Sequence, residues 1–263
     1  MKNINFRKVG ITFFWLALLS TTTVFVVSAV QRKRNTDLDK VEITLVDSKD
    51  MQHMLTKADI KKVLNDKYKQ DLTGISIAAF KPEQIETVLL AIPYVKTAEV
   101  FIDATQKLNI RIKERMPILR VIGNDGTSYY LDEEAKRMPL VANFSPRIMV
   151  ATGEIKTAST KNASSLDAMK DLIGLAQDLK KDPFMDALVD QIYVDSIGDY
   201  ILIPKLGSQR IVLGNRTDVE KKFKKLSLFY KEGLSREGWQ KYRTINLKYR
   251  DQVVCQLNEA PKA

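Results

Sequence analysis

Apolar and polar residues alternate with a period of two in the middle of the chain. Apolar side chains occupy every second position of two neighbouring runs, namely Ala98, Val100 and Ile102 in the first and Leu108, Ile110 and Ile112 in the second. About four turn residues separate the runs. This pattern predicts an antiparallel hairpin with one apolar face and one solvated face.

The preceding residues change to a helical period. Ile85, Val88, Leu89 and Ile92 have the i, i+3, i+4, i+7 spacing of one helix face. This helix is expected to end at Ile92, because Pro93 cannot continue it. Thr56 and Asp59 form a predicted capping box before a second apolar stripe, and residues 41–45 alternate as a strand. The predicted order over residues 41–115 is therefore βααββ, with both helices on one face of a three-stranded sheet.

Met116 and Pro117 interrupt this pattern and predict a boundary, after which residues 116–257 form a mixed, mainly antiparallel β domain with two or more helices. Predicted strands cover residues 118–122, 128–131, 148–152, 191–194, 200–203, 210–213, 245–249 and 252–257. One helix begins near residue 164 and another at a capping box formed by residues 217–220. The lysines of the second helix, at positions 221, 222, 224 and 225, are interpreted as its solvated side. The fold class is α+β, with a polar tail at residues 258–263.

Residues 11–30 contain no charge and are long enough, as a helix, to span a bilayer. They predict a transmembrane helix between a tail at residues 1–10 and a linker at residues 31–40. A cleaved signal peptide is the alternative, but its apolar region would run only about 7 to 15 residues. Basic residues flank both ends almost equally, so the charge rule does not settle the orientation.

Composition favours a binding function over catalysis. The net charge is +10, but residues 1–36 carry six Lys/Arg and no Asp/Glu, so a span anchored at lipid headgroups accounts for much of the excess. No nucleic-acid fold, P-loop or G-x-G-x-x-G motif is present.

The residues that could carry chemistry have structural interpretations. The single histidine, His53, is expected at the surface where a helix begins, Cys255 is expected to pack in the last strand, and residues 132–134 are expected to form a turn. No enzyme activity, cofactor or metal is predicted.

Several short motifs occur in one order along the chain. Pro93, Val95, Ala98 and Val100 fit P-x-V-x-x-A-x-V, and residues 108–117 fit L-x-I-x-I-x-E-R-x-P. Tyr-Leu-Asp follows at 130–132, Met-Pro-Leu at 138–140, Ile-Val-Leu-Gly at 211–214 and Asn-Leu-Lys-Tyr at 246–249. In combination they resemble bacterial cell-division proteins of the FtsQ/DivIB family. Ala135, Asn246 and Lys248 depart from that pattern, where a glycine, an acid and an arginine are usual.

The resemblance implies a POTRA domain at residues 41–115 and a non-enzymatic divisome scaffold that recruits and links division proteins and helps control septal peptidoglycan synthesis. It implies a single-pass protein of the cytoplasmic membrane, with its N-terminus in the cytoplasm, its domains outside and enrichment at the septum. The implied partners are FtsB/DivIC-like and FtsL-like coiled-coil proteins, other divisome membrane proteins and, through residues 11–30, the lipid bilayer.

The resemblance also implies a partner-binding surface near the C-terminal strands. The terminal position of the last strand agrees with this, because an edge strand can pair with an incoming segment. Its predicted residues are Lys248, Tyr249, Arg250, Val253, Val254, Cys255 and Gln256, with Lys248 supplying charge. The same residues would otherwise only close the sheet.

Three other functions stay open at this stage. Another membrane-anchored POTRA protein of envelope assembly or transport would have several POTRA repeats. A tethered envelope hydrolase would have a pocket of perturbed carboxylates near Asp132. A ligand-binding ectodomain would have a concave apolar cavity in the β region.

Overall fold

The computed structural model describes residues 6–34, 38, 40–46, 53–69, 72–73, 76, 81–142, 144–155 and 163–258. Its first element is helix α1, Phe6–Arg34. None of the helices in these described ranges is long and apolar enough to cross a membrane, so the anchor at residues 11–30 stays a prediction. The predicted N-terminal tail, linker and C-terminal tail lie partly outside the described residues. The chain divides into two compact units, Met1–Glu114 and Arg115–Ala263.

The first unit has the predicted order of strand, helix, helix, strand, strand. Its elements are β1 (Lys40–Val46), α2 (Lys57–Tyr68), α3 (Pro82–Leu90), β2 (Val95–Ile102) and β3 (Lys107–Glu114). Strand β3 lies in the centre of the sheet, parallel to β1 and antiparallel to β2. The predicted hairpin and its flanking helices are therefore confirmed.

The core of the first unit is the apolar face of this sheet. Leu108, Ile110 and Ile112 are fully buried against α2 and α3, which contribute Ile60 and Leu89. Burying one such side chain stabilises the fold by roughly 1.5–3 kcal/mol. This core explains why the alternation in β3 is so regular, since a slip of one residue would expose all three side chains.

Helix α2 begins at the predicted capping box. The Thr56 hydroxyl accepts from the Asp59 amide at 3.1 Å, and the Asp59 carboxylate accepts from the Thr56 amide at 2.9 Å. The hydroxyl and amide of Thr56 lower the pKa of Asp59. Just before this helix, the half-exposed His53 pairs with Glu114, which also accepts the Met54 amide at 2.9 Å. His53 thus lies at the start of a helix, as predicted.

The second unit is a nine-stranded sheet with several helices. Its elements are β4 (Leu119–Ile122), β5 (Ser128–Leu131), β6 (Arg137–Pro139), β7 (Met149–Gly153), α4 (Ala163–Lys181), α5 (Pro183–Leu188), β8 (Val189–Val194), β9 (Tyr200–Pro204), β10 (Arg210–Gly214), α6 (Val219–Leu228), a π-helical segment (Phe229–Leu234), α7 (Ser235–Glu237), β11 (Tyr242–Asn246) and β12 (Val254–Leu257). The strand order is β12-β11-β10-β9-β8-β7-β4-β5-β6.

Most neighbours in this sheet are antiparallel, and three pairs are parallel: β4–β7, β7–β8 and β10–β11. The mixed, mainly antiparallel prediction is therefore confirmed. The sheet buries one face under α4 and α6, whose Leu175, Leu179 and Leu226 are fully buried. The two edges differ: β6 has three residues and ends at Pro139, whereas β12 has four residues and is the last strand that the structure describes.

Three predictions for this unit are wrong. The proposed capping box at α6 is absent, because Asp218 is left-handed (φ 54°) and its side chain makes no capping hydrogen bond. Lys222 is not on a solvated side; it is only 8% exposed. The last two strands are misplaced, since β11 ends at Asn246, three residues earlier than predicted, and β12 begins at Val254, two residues later than predicted. Strand β6, helix α5 and the π-helical segment were not predicted.

Candidate protein-docking site

Strand β12 is an edge strand, as the sequence predicts. It pairs antiparallel with β11, and within the described part of the chain no other strand lies beside it. An edge strand presents a row of backbone N–H and C=O groups that another chain can pair with. The edge is four residues long.

Two hydrogen bonds fix which amides of β12 point outward. The Asn258 amide donates to Lys241 at 2.9 Å, towards β11, and the Leu247 amide donates to Val212 at 2.9 Å, away from β12. Because N–H groups alternate along an extended strand, Val254 and Gln256 pair with β11. Cys255 and Leu257 therefore direct their amides to the open edge.

The structure divides the seven predicted residues into two groups. Val254, Cys255 and Gln256 lie in β12, and Val253 directly precedes it; Val253 and Cys255 pack against the core. Burial raises the pKa of the Cys255 thiol, as is typical of a packing cysteine. The other three, Lys248, Tyr249 and Arg250, lie in the connection between β11 and β12 and not in a strand.

This connection is held by side chains from two elements. The Asn246 side-chain oxygen accepts from the Lys248 amide at 2.9 Å, which turns the chain at the end of β11. From α6, the Lys225 ammonium donates to the carbonyl oxygens of Leu247, at 3.3 Å, and of Tyr249. Lys225 thus positions the predicted site residues from the side of α6 that was expected to face solvent.

A basic pocket of about 270 Å³ opens beside this connection. It is lined by Asn215, Thr217, Asp218, Lys221, Lys222, Lys225, Leu247, Lys248, Tyr249 and Arg250. Five of these residues are cationic and one is acidic. Lys221 pairs with that acid, Asp218, at 2.9 Å, so the remaining charge is positive and favours an anionic group from a partner.

Lys222 is the least exposed of these cations. Its ammonium donates to the Asn215 carbonyl oxygen at 2.8 Å. Burial, followed by the nearby charge of Lys225, lowers the pKa of Lys222. A carboxylate entering the pocket would relieve this unfavourable environment.

Lys248 already has an internal partner. Its ammonium lies 2.5 Å from Asp199, and this hydrogen bond raises the pKa of Lys248. The Lys248 stem passes over Gly214, where a Cβ atom would lie 2.9 Å from Lys248 Cγ. Gly214, in a left-handed conformation (φ +75°), therefore allows the close approach. Lys248 shares its charge with Asp199 and is not a free cation.

The carboxylates near Asp132 form a structural turn. Asp132 Oδ1 accepts the amides of Glu134, at 2.9 Å, and Lys136, at 2.7 Å, while Oδ2 lies 2.5 Å from Arg115. Both oxygens of Asp132 are therefore used to hold the turn that the sequence predicts at residues 132–134. No group of three or more His, Cys, Asp or Glu residues able to hold a metal occurs among the residues that the structure describes.

The roles of Lys222 and Lys225 were not predicted, although the sequence carries a signal for Lys222. Lys222 lies three residues after Val219 and four before Leu226, on the apolar stripe of α6. A lysine on such a stripe needs a buried partner or an anion. Lys225 and Asp199 had no comparable signal, since their contacts join residues 22 to 49 positions apart.

Comparison with known families gives two matches. A family model described as "FtsQ/DivIB, C-terminal related" matches residues 116–256. A second, described as "POTRA-like domain", matches residues 38–113. No curated protein gives a match. The two family matches adjoin one another and together cover most of the chain.

Proposed function

Because this chain belongs to the FtsQ/DivIB family, we propose that it is a non-enzymatic scaffold of the division machinery. In this role it recruits and links early and late division proteins and helps control septal peptidoglycan synthesis. Its POTRA domain serves recruitment, and its β domain holds the segments of coiled-coil partners. The family match supports a part in cell division, and the geometry of the site supports a mechanism based on binding.

The open edge of β12 is the observation that carries this proposal. An incoming segment pairs with the outward amides of Cys255 and Leu257 and extends the sheet by one strand. An acidic side chain flanking that segment enters the basic pocket beside Lys222 and Arg250. The proposed partners are FtsB/DivIC-like and FtsL-like proteins, together with other divisome membrane proteins.

The proposed location is the cytoplasmic membrane at the septum, with the N-terminus in the cytoplasm and both domains outside. The uncharged run at residues 11–30 supports an anchor. In the described part of α1, large apolar side chains such as Phe14, Trp15, Leu19 and Phe25 are exposed. A bilayer would cover such side chains.

The edge is tested with a proline at position 257. Proline removes the outward N–H of Leu257 and leaves the β11 pairing intact, because the lost amide faces away from β11. The Leu257→Ala variant is the matched control, since it removes most of the side chain but keeps the amide. Proline at Val254 is a poorer choice, because the Val254 amide faces β11.

The measurement is co-purification of the full-length chain with its FtsB/DivIC-like and FtsL-like partners. We expect Leu257→Pro to reduce recovery at least tenfold while Leu257→Ala stays within about twofold, with unchanged circular dichroism for both. Equal recovery with Leu257→Pro would refute the edge as the docking site. In cells, a fluorescent fusion should form midcell bands and depletion should cause filamentation; uniform envelope signal with normal division would refute the division role.

A further inference from the structure

A second concave surface lies where the parallel strands β7 and β8 end side by side. Gly153 and Val194, their last residues, are paired in register. In open sheets with helical crossovers, the carboxyl ends of parallel strands are a common position for ligand sites. A cavity of about 300 Å³ opens there, at the lower end of the range typical of small-molecule sites.

The shape of this cavity depends on a backbone turn after β7. Gly153 is left-handed (φ +99°), and a Cβ atom at this position would lie 2.1 Å from the Val194 carbonyl oxygen. The close approach lets the Glu154 amide donate to that oxygen at 2.9 Å. The chain therefore bends over the end of β8 and places Glu154 and Ile155 on the rim.

The floor and walls of the cavity are apolar. Met169 and Leu172 of α4 and Tyr200 of β9 form buried surface, while Ala168 and Ile197 lie at the exposed margin. The Tyr200 hydroxyl donates to Asp171 at 2.9 Å, which satisfies that polar group. These surfaces suit an aliphatic chain.

The charge of this cavity is opposite to that of the protein as a whole. Its two charged lining residues, Glu154 and Asp195, are both acidic, although the chain carries a net charge of +10. Glu154 is held by Asn124, whose amide donates to it at 2.9 Å. Asp195 Oδ1 accepts the amides of Ile197 and Asp199, two of the roughly four hydrogen bonds that a carboxylate can accept.

We propose that this cavity binds an amphipathic cation, with an alkyl stem on Met169 and Leu172 and an ammonium group at Glu154 and Asp195. Such a group is carried by a free alkylamine or by a lysine side chain. The proposal uses none of the residues of the β12 edge, so the inference does not rest on the docking mechanism; Lys248, in the connection between β11 and β12, is near enough to Asp195 for their charges to interact.

The test uses full-length protein in neutral detergent micelles, labelled with methyl-¹³C methionine. The Met169 signal is assigned from its loss in Met169→Leu. Pentylammonium is titrated against pentanoate, which has the same chain length and the opposite charge. We expect pentylammonium to shift the Met169 signal saturably and pentanoate to bind at least tenfold more weakly. Tighter binding of Nα-acetyl-lysine methylamide than of pentylammonium would assign the natural source to a polypeptide; the reverse order would assign it to a free amine.

Three variants complete the test. Glu154→Gln is expected to weaken pentylammonium binding at least threefold, whereas Asp190→Asn, an exposed acid of β8 outside the cavity, should not change it. Ala168→Phe should fill the cavity and abolish binding, and the exposure of Ala168 allows the larger side chain. Equal binding of pentanoate, no saturable shift, or unchanged binding in Ala168→Phe would overturn the proposal.

Discussion

The ion pair between Arg115 and Asp132 is expected to be the strongest single electrostatic contact of the second unit. Arg115 Nη1 lies 2.5 Å from Asp132 Oδ2, and the two side chains are only 14% and 3% exposed. The perturbation is a double-mutant cycle of Arg115→Met, Asp132→Asn and both together. Asparagine keeps a side-chain oxygen for the amides of Glu134 and Lys136, so it removes the charge and preserves the turn.

The magnitudes follow from burial. Arg115→Met leaves a buried carboxylate without a cation, which costs about 3–5 kcal/mol. The second partner of Arg115, Glu134, is 57% exposed and contributes under about 1 kcal/mol. Asp132→Asn should cost roughly 1.5–3 kcal/mol, the value of a hydrogen bond to a charged group. The loss of unfolding free energy in the double variant should be smaller than the sum of the two single losses by about 1–3 kcal/mol, because the double variant leaves neither charge unpaired.

The assay is urea unfolding of the four proteins, followed by circular dichroism. Arg236→Met is the matched control, because its pair with Glu232 is exposed on both sides and should contribute less than about 1 kcal/mol. A loss below about 1 kcal/mol in Arg115→Met, or additivity within about 0.5 kcal/mol, would refute the reasoning.

Three further predictions concern other contacts. Gly153→Ala should lower the free energy of unfolding by about 2 kcal/mol or more, because the new Cβ would collide with the backbone of β8. Gly126 also has a positive φ but lies in open space, so Gly126→Ala should lower the melting temperature less than Gly153→Ala does. Lys225→Met should speed amide hydrogen exchange in the β11–β12 connection, whose carbonyls Lys225 holds, while the melting temperature changes little; unaltered exchange would contradict this. The Thr105 hydroxyl, followed by backbone amides of the same turn, lowers the pKa of Asp103 to about 2. The stabilisation from the ionised Asp103 carboxylate is therefore present above about pH 4 and is lost as the pH falls towards 2. The Asp103→Asn variant should lack this loss when the free energy of unfolding is measured across the same pH range.

The first unit was predictable because its elements are local and its periodicities are clear. Ile85 and Leu89 lie on one stripe, Ile110 and Ile112 on one face, and each pattern is set by residues within a few positions. A pattern of this kind requires only that one face be buried. The order of strands in the second unit had no such local source. Parallel pairs such as β7–β8 depend on a long crossover through α4 and α5, which no motif specifies.

The position of the β12 edge was predictable from the sequence, but its details were not. The terminal position of β12 indicated an edge, and the structure has that edge. The connection between the last two strands was predicted too short, because the Asn246 side chain turns the chain before the apolar alternation stops. The basic pocket depends on Lys222 and Lys225, whose roles come from contacts across the fold. The position of a lysine in the sequence of a helix does not show whether its ammonium group is solvated or donates to a neighbouring carbonyl oxygen.

The unlike edges of the large sheet limit how copies of this protein can assemble. Strand β6 is short, and Pro139 at its end lacks an N–H group, so another strand pairs poorly with this edge. Within the part of this sheet that the structure describes, an added strand is therefore expected at β12 and not at β6. If two copies joined through their β12 edges, the combined sheet would have a β6 border at each end, so this mode of pairing would close at a dimer and would not continue into a fibre.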